Sequence, residues 1–226
     1  MLLGVREILV RTRTRWIVHV RALLRRDGLR LAPDRAENFV ARVKELPLSL
    51  SLAALIAPML ELLTPLNEQI EKLDAQVAIQ ARQDEQSRRL MTVRGVGPVT
   101  ALAFVATVDR VERFRDAHQL ESYIGLVPRE WSSSETQRKG SITKAGNTRM
   151  RWLLVEAAWC ILRRKKKPET SLLRDWADQI ARRRGSHVAA VALARRLGGI
   201  LYAMWRDGTD YDAAQIGRCG RMPKVA

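Results

Sequence analysis

Apolar residues return at helical spacing along most of this chain, and one polar stretch interrupts them. In residues 5–26, Val5, Ile8, Leu9, Thr12, Trp16, Val20, Leu23 and Leu24 recur every few positions with seven arginines between them. That spacing predicts a basic amphipathic helix, closed by Gly28. Residues 34–46 read as a second, short helix between Pro33 and Pro47, since proline starts helices well and continues them badly. Leu52, Ile56, Met59, Leu63, Leu66, Ile70, Leu73 and Val77 then alternate steps of four and three, the spacing of a coiled-coil seam. Such a seam admits a partner helix within the chain or in a second subunit. Pro58 and Pro65 favour packing within its own domain for the first half.

Residues 90–108 hold Gly95-Val96-Gly97-Pro98 between apolar segments, a turn like that of a helix-hairpin-helix. There Gly95 and Gly97 would free backbone N–H groups at a helix N-terminus to meet a phosphate. A plain turn in a helical core is the competing reading. Thr100 and Ala101 open a helix that needs covering on all sides. Further on, Asn147 is placed as the cap of a helix over 148–164, with Met150, Leu153, Leu154, Ala157, Ala158 and Ile161 as its stripe. Two more helices are predicted over 169–184 and 187–206, the second apolar all round and so central to the core. The run 163–167, all Arg and Lys, reads as a solvated connector or as another phosphate contact. Residues 207–226 are expected to be loosely held. The fold class is therefore mainly α, in three parts: a basic helix and long coiled-coil-like region over 1–89, a helical domain over 90–206, and the tail.

The exception is residues 123–151, which read as a long polar loop punctuated by Gly125, Pro128, Gly140 and Gly146. Ser132, Ser133 and Ser134 follow Trp131, and Arg129, Arg138, Lys139, Lys144, Arg149 and Arg151 surround them. Long loops inside compact domains are commonly functional, and a cationic rim suits a polyanion. Arg149 and Arg151 fall in the first turn of a helix, where cations oppose the macrodipole unless an anion is bound.

Composition sharpens this. A formal net charge of +16 over 226 residues points to nucleic acid, whose backbone binds through exactly such cations, rather than to an ordinary metabolite. Two cysteines, Cys160 and Cys219, make neither a disulfide framework nor a metal site and suit a reducing cytoplasm. The longest uncharged run, 46–60, contains two prolines and is shorter than a membrane span, so a soluble protein with no membrane partner is expected. The three histidines, His19, His118 and His187, lie far from the serines in sequence and give no support for a Ser-His-Asp triad.

The segments GLVPREWSSS and RKGSITKAGNTRMRWLLVEAA resemble the C-terminal half of insertion sequence 110 family transposases. The resemblance runs from about residue 90 to 202 and more loosely to the N-terminus. That family pairs a RuvC-like DEDD domain with a serine-bearing C-terminal domain and recombines DNA under RNA guidance. Its serine stands two positions after an aromatic residue, which here is Ser133, with Ser132 the nearest rival. The usual Gly-Gly after the serine reads Ser134-Glu135 here, and the usual Lys reads Thr136. The resemblance implies that Ser133 attacks the DNA backbone, forming a phosphoserine beside Mg²⁺ held by DEDD carboxylates. It implies that the six cations contact DNA phosphates or guide RNA, while the heptad pattern leads us to expect a homo-oligomer or a mixed oligomer with full-length transposase. No carboxylate set on strands stands in residues 1–50, so the DEDD domain is expected to be missing and the chain alone to bind without recombining. Two other readings stand beside this one: a helix-hairpin-helix-like binding module in which Ser133 is incidental, and a regulatory oligomerisation protein acting through residues 52–89.

Overall fold

A computed structural model of the chain describes residues 1–132, 137–164 and 168–213. The chain divides into two compact units, residues 1–79 and 80–226.

The first unit is built on α1 (Leu2–Arg26), a 3₁₀ turn (Ala36–Asn38), α2 (Phe39–Lys44) and α3, which spans Leu50–Gln83. Helix α1 runs antiparallel to α3, since Arg6 meets Asp74 while Arg13 donates to Asn67 at 3.2 Å. At the other end, Val20, Leu24, Phe39, Val43, Leu52, Ile56, Leu60 and Leu63 form one buried cluster. The heptad seam thus finds a partner inside the chain over its first half. Pro58 and Pro65 lie within one continuous helix and not at its ends. The phase of α1 differs from that expected. Val5 and Ile8 are exposed, and Arg6 and Arg13 face α3 instead. The reason is electrostatic: Asp74 lies opposite Arg6, and Glu37 accepts from Arg13 at 2.8 Å, so the cations are paired where they lie half-buried.

The second unit is organised by α9 (Ser186–Asp207), which packs on α6, α7 and α8 (Ala117–Ile124, Thr148–Arg163, Pro168–Arg184) and on α4 (Glu85–Leu90). Ala189, Ala190, Leu193, Ala194, Leu197 and Leu201 are fully buried, and small residues on this face let the neighbouring helices approach. Tyr202 is 2% exposed and its hydroxyl donates to the Phe114 carbonyl at 2.7 Å, so its one polar atom is satisfied. Helix α5 (Pro98–Val108) packs on α4 and α7 with residues 100–104 buried. By length and composition α3 and α9 could each cross a membrane; half of the most apolar window of α9 is buried inside its own unit.

The polar stretch is not a plain loop. Pro128–Ser132 (β1) and Gln137–Ile142 (β2) pair antiparallel into the sheet of the described residues. Glu130 stands opposite Lys139, Trp131 opposite Arg138 and Ser132 opposite Gln137, with an irregularity between Pro128 and Glu130. Its strands carry almost no alternating apolar face, the signal by which a half-buried strand is read from sequence. Of the tail, Tyr211 is tied down: its N–H donates to Thr92 Oγ1 at 3.0 Å and its hydroxyl to the Glu169 carbonyl at 2.9 Å. Residues 214–226 lie outside the described residues.

Candidate nucleic-acid interface

The base of the hairpin is where two stretches of backbone cross at closest approach. Helix α6 begins with Asp116 as cap, its carboxylate accepting from the Gln119 N–H at 2.8 Å, and ends in the left-handed Gly125. That hydrogen bond holds the Asp116 carboxyl below the usual carboxylate range, with burial opposing it and Arg115 adding to it. A Cβ on Gly125 (φ 78°) would lie 2.0 Å from the Ala145 carbonyl oxygen, and one on Gly146 (φ 71°) 1.9 Å from that of Tyr123. No side chain fits at either position. The strands leave this crossing through Thr143 N–H to Val127 O (2.9 Å) and Lys144 N–H to Gly125 O (3.1 Å).

Arg151, 9% exposed on the first turn of α7, closes the crossing from the core side. Its Nη1 donates to the carbonyls of Ile124 (2.9 Å), Ala145 and Gly146 (3.2 Å), and its Nη2 to Thr148 Oγ1 at 3.0 Å. The Asn147 side chain caps α7 by accepting from the Met150 N–H at 3.0 Å. The geometry therefore gives Arg151 a cation's work at a helix N-terminus without any external anion: the carbonyls supply the negative charge.

The other cations are differently placed. Arg129 is exposed on β1, its Nη2 within 3.4 Å of the Thr143 carbonyl, and Lys144 is exposed in a left-handed conformation (φ 58°). Arg149 is half-buried on the first turn of α7. Arg138 and Lys139 are fixed by backbone register alone, on β2 opposite Trp131 and Glu130. Ser132 ends β1, and Ser133 lies outside the described residues, in the four-residue connection from Ser132 to Gln137. Trp131 is 62% exposed, and a Cβ on Gly140 would lie 2.4 Å from its indole Cζ3, so the absence of a side chain there lets the ring lie over β2.

The two turn glycines separate. Gly95 (φ 102°) is pressed on α7, where a Cβ would stand 2.9 Å from the Ala157 carbonyl oxygen, so packing alone accounts for it. Gly97 caps α5 with nothing within 4 Å of its Cβ position, and leaves that helix N-terminus open. His118 lies on the surface of α6, with Nδ1 3.2 Å from Arg195 and 3.6 Å from Glu121.

Sequence reasoning did not find the clamp by Arg151, nor a cluster beside it. Arg113 stacks at 5.6 Å over the rings of both Phe114 and Tyr123. The available signal was the pairing of Gly125 with Gly146 around a polar segment, which marks a close backbone crossing but not the residue that bonds it.

Residues 87–173 match the family described as Transposase IS116/IS110/IS902. The chain is 36% identical to a Pseudomonas aeruginosa protein named "Probable family 20 transposase", over 92% of this chain and 63% of that one. It is 34% identical to the transposase for insertion sequence element IS1111A of Coxiella burnetii, over 97% of this chain and 60% of that one. It is 28% identical to an insertion element IS110 protein of Streptomyces coelicolor, over 89% and 49%. The chain thus spans about three fifths of the length of the first two relatives. The matched segment contains the turn of Gly95 and Gly97, the clamp and the whole hairpin, and by it the chain belongs to the IS116/IS110/IS902 family of transposases.

Proposed function

We propose that the hairpin-bearing unit is the DNA-engaging, serine-bearing part of an insertion-sequence transposase, with Ser133 as nucleophile. One observation carries this: the serine segment lies between two strands whose base is locked to a helical unit by Gly125, Gly146 and Arg151, inside the family-matched stretch. A nucleophile gains from being held on a fixed frame, because misplacement by about 1 Å costs orders of magnitude in rate. In the reaction the Ser133 hydroxyl oxygen forms a bond to phosphorus and the bridging P–O bond to one sugar breaks. The serine proton passes to a general base, and the departing sugar oxygen takes up a proton and leaves as a hydroxyl. Exposed Arg129 and Lys144 would neutralise phosphate charge on the way in, with Arg138, Lys139 and Arg149 the further candidates. Gly97 and the open start of α5 would meet another backbone phosphate.

The resemblance brings Mg²⁺ and a guide RNA with it. Among the described residues no three His, Cys, Asp or Glu side chains gather to hold a metal ion, so these residues do not fit Mg²⁺. A second reading is nucleic-acid binding without covalent chemistry, favoured by the exposed cations Arg129 and Lys144 and the open start of α5. A mixed oligomer with a full-length relative would join the two readings, the relative supplying what the described residues lack.

Covalent trapping tests this. The chain is incubated with donor and target DNA, guide RNA, Mg²⁺ and the remaining portion of a full-length relative, then run on a denaturing gel. A DNA–protein adduct that persists in Ser132→Ala and vanishes in Ser133→Ala is expected. An adduct that survives Ser133→Ala refutes the assignment, and salt-sensitive DNA binding with no adduct selects the binding-only reading.

A further inference from the structure

Beside the hairpin base lies an open cleft of about 380 Å³ lined by Arg113, Phe114, Gln119, Ser122 and Tyr123. Its walls are held in place from behind. Phe114 is buried, and its carbonyl accepts from the Tyr202 hydroxyl. Tyr123, 43% exposed, meets the Phe114 ring at 5.2 Å and 59°, while its own carbonyl is pressed against Gly146. Arg113 donates from Nη1 to the Val108 carbonyl at 3.1 Å, which pins its guanidinium over both rings. On the rim, Gln119 Oε1 accepts from the Arg115 N–H at 2.7 Å, so its amide N–H groups are the part left to the cleft, next to the Ser122 hydroxyl.

The result is a rigid, solvent-facing aromatic ring with a fixed guanidinium beside it and hydrogen-bond donors at the edge. Planar heteroaromatic rings stack on such surfaces, and the edge donors suit the carbonyl and ring-nitrogen acceptors of a base. A base inside a duplex cannot enter, because both its faces are already stacked. Resting on the reading that this unit engages nucleic acid, we propose that the Arg113–Tyr123 cleft receives one unpaired nucleobase, from a displaced DNA strand or from a single-stranded RNA segment. The hairpin cations hold phosphates; the cleft holds a base. Tyr123 and Arg113 are binding residues here and take no part in bond breaking.

The test uses the full chain and three labelled probes: an oligothymidylate, the matching oligouridylate and a duplex of mixed sequence. Tyr123→Ala is expected to weaken single-strand binding about tenfold, the size of one lost base–aromatic stack. Tyr123→Phe keeps the ring and is expected to bind as the parent does. Ser122→Trp fills the cleft from its exposed rim and is expected to reproduce the loss without touching the packing behind Phe114. Duplex binding stays unchanged in all three, and the single strand that loses more affinity is the source of the base. A 5-iodouracil probe is expected to cross-link to the peptide carrying Tyr123. Unchanged single-strand affinity in Tyr123→Ala and Ser122→Trp overturns the proposal while leaving the wider reading in place. Equal losses on single strand and duplex overturn it too, since they report a disturbed fold. A parent chain that binds none of the probes overturns both.

Discussion

Replacing Arg151 by methionine keeps the apolar length of the side chain and removes all its donors. In the folded unit those donors serve Ile124 O, Ala145 O, Gly146 O and Thr148 Oγ1. A hydrogen bond from a charged donor contributes about 1.5–3 kcal/mol net, and a buried acceptor left alone costs about 1–3 kcal/mol. Only the Ile124 bond is fully buried; residues 145 and 146 are exposed, so water can replace Arg151 at their carbonyls. Counting Ile124 in full and the others as small fractions gives a loss of about 3 kcal/mol. For a chain of this size that lowers Tm by roughly 6–12 °C. Thermal unfolding by circular dichroism reads it directly, and hydrogen exchange at the Thr143 and Lys144 amides should quicken as the base loosens. Below the new Tm, DNA binding should keep the salt dependence of the parent. Were Arg151 instead a phosphate ligand, Tm would hold and the slope of log affinity against log salt would shrink by about 0.9. An unchanged Tm with a reduced slope would refute the clamp.

Two further outcomes follow from the same region. Gly146→Ala places a methyl 1.9 Å from backbone oxygen at a positive φ and should prevent the chain from accumulating in folded form, as judged by soluble yield. Gly97→Ala, with open space and φ −97°, should leave Tm almost unchanged; a fall in duplex affinity with that stability intact would mark α5 as a phosphate site. Asp116 has its carboxyl pKa lowered by the Gln119 N–H, so its share of stability is complete above the unfolded aspartate value and fades as pH drops through the depressed folded one. Asp116→Asn should flatten the acid limb of the Tm-against-pH curve, and an acid limb identical to the parent's would remove the cap from the account.

The helices of the second unit were legible because each carries its own punctuation. Asn147 caps α7 as its position before an apolar stripe implied, and α9 is central through its buried Leu193, Leu197 and Leu201, although Arg195 and Arg196 give it a polar side that the apolar pattern did not show. The heptad positions were legible too, with Leu52, Ile56 and Leu63 in the core of the first unit. What the pattern could not show is phase where charge replaces apolarity. Arg6 and Arg13 face inward because their partners, 68 and 24 residues away in sequence, come to meet them. The hairpin was read as a loop because a two-stranded ribbon of polar residues has no buried face to impose alternation. Arg151 was read as an anion ligand from its place at a helix start, and the carbonyls that occupy it come from a crossing that only the fold brings together. Ser133 could be assigned only through family resemblance, since nothing in the spacing of the three serines sets one apart from its neighbours.

The crossing at Gly125 and Gly146 also decouples length from stability. The excursion is closed at its root by the glycine crossing and again along its length by the pairing of β1 with β2, so the ends of the 133–136 connection are already held together. Inserting four residues into the 133–136 connection doubles its length and would add only about 0.6 kcal/mol of closure entropy. Selection acting on the tip, on which residue follows the aromatic one and how far the serine reaches, is thereby freed from selection on the scaffold beneath it. Sequence change confined to the 133–136 connection is the kind such an arrangement lets through at little cost to folding.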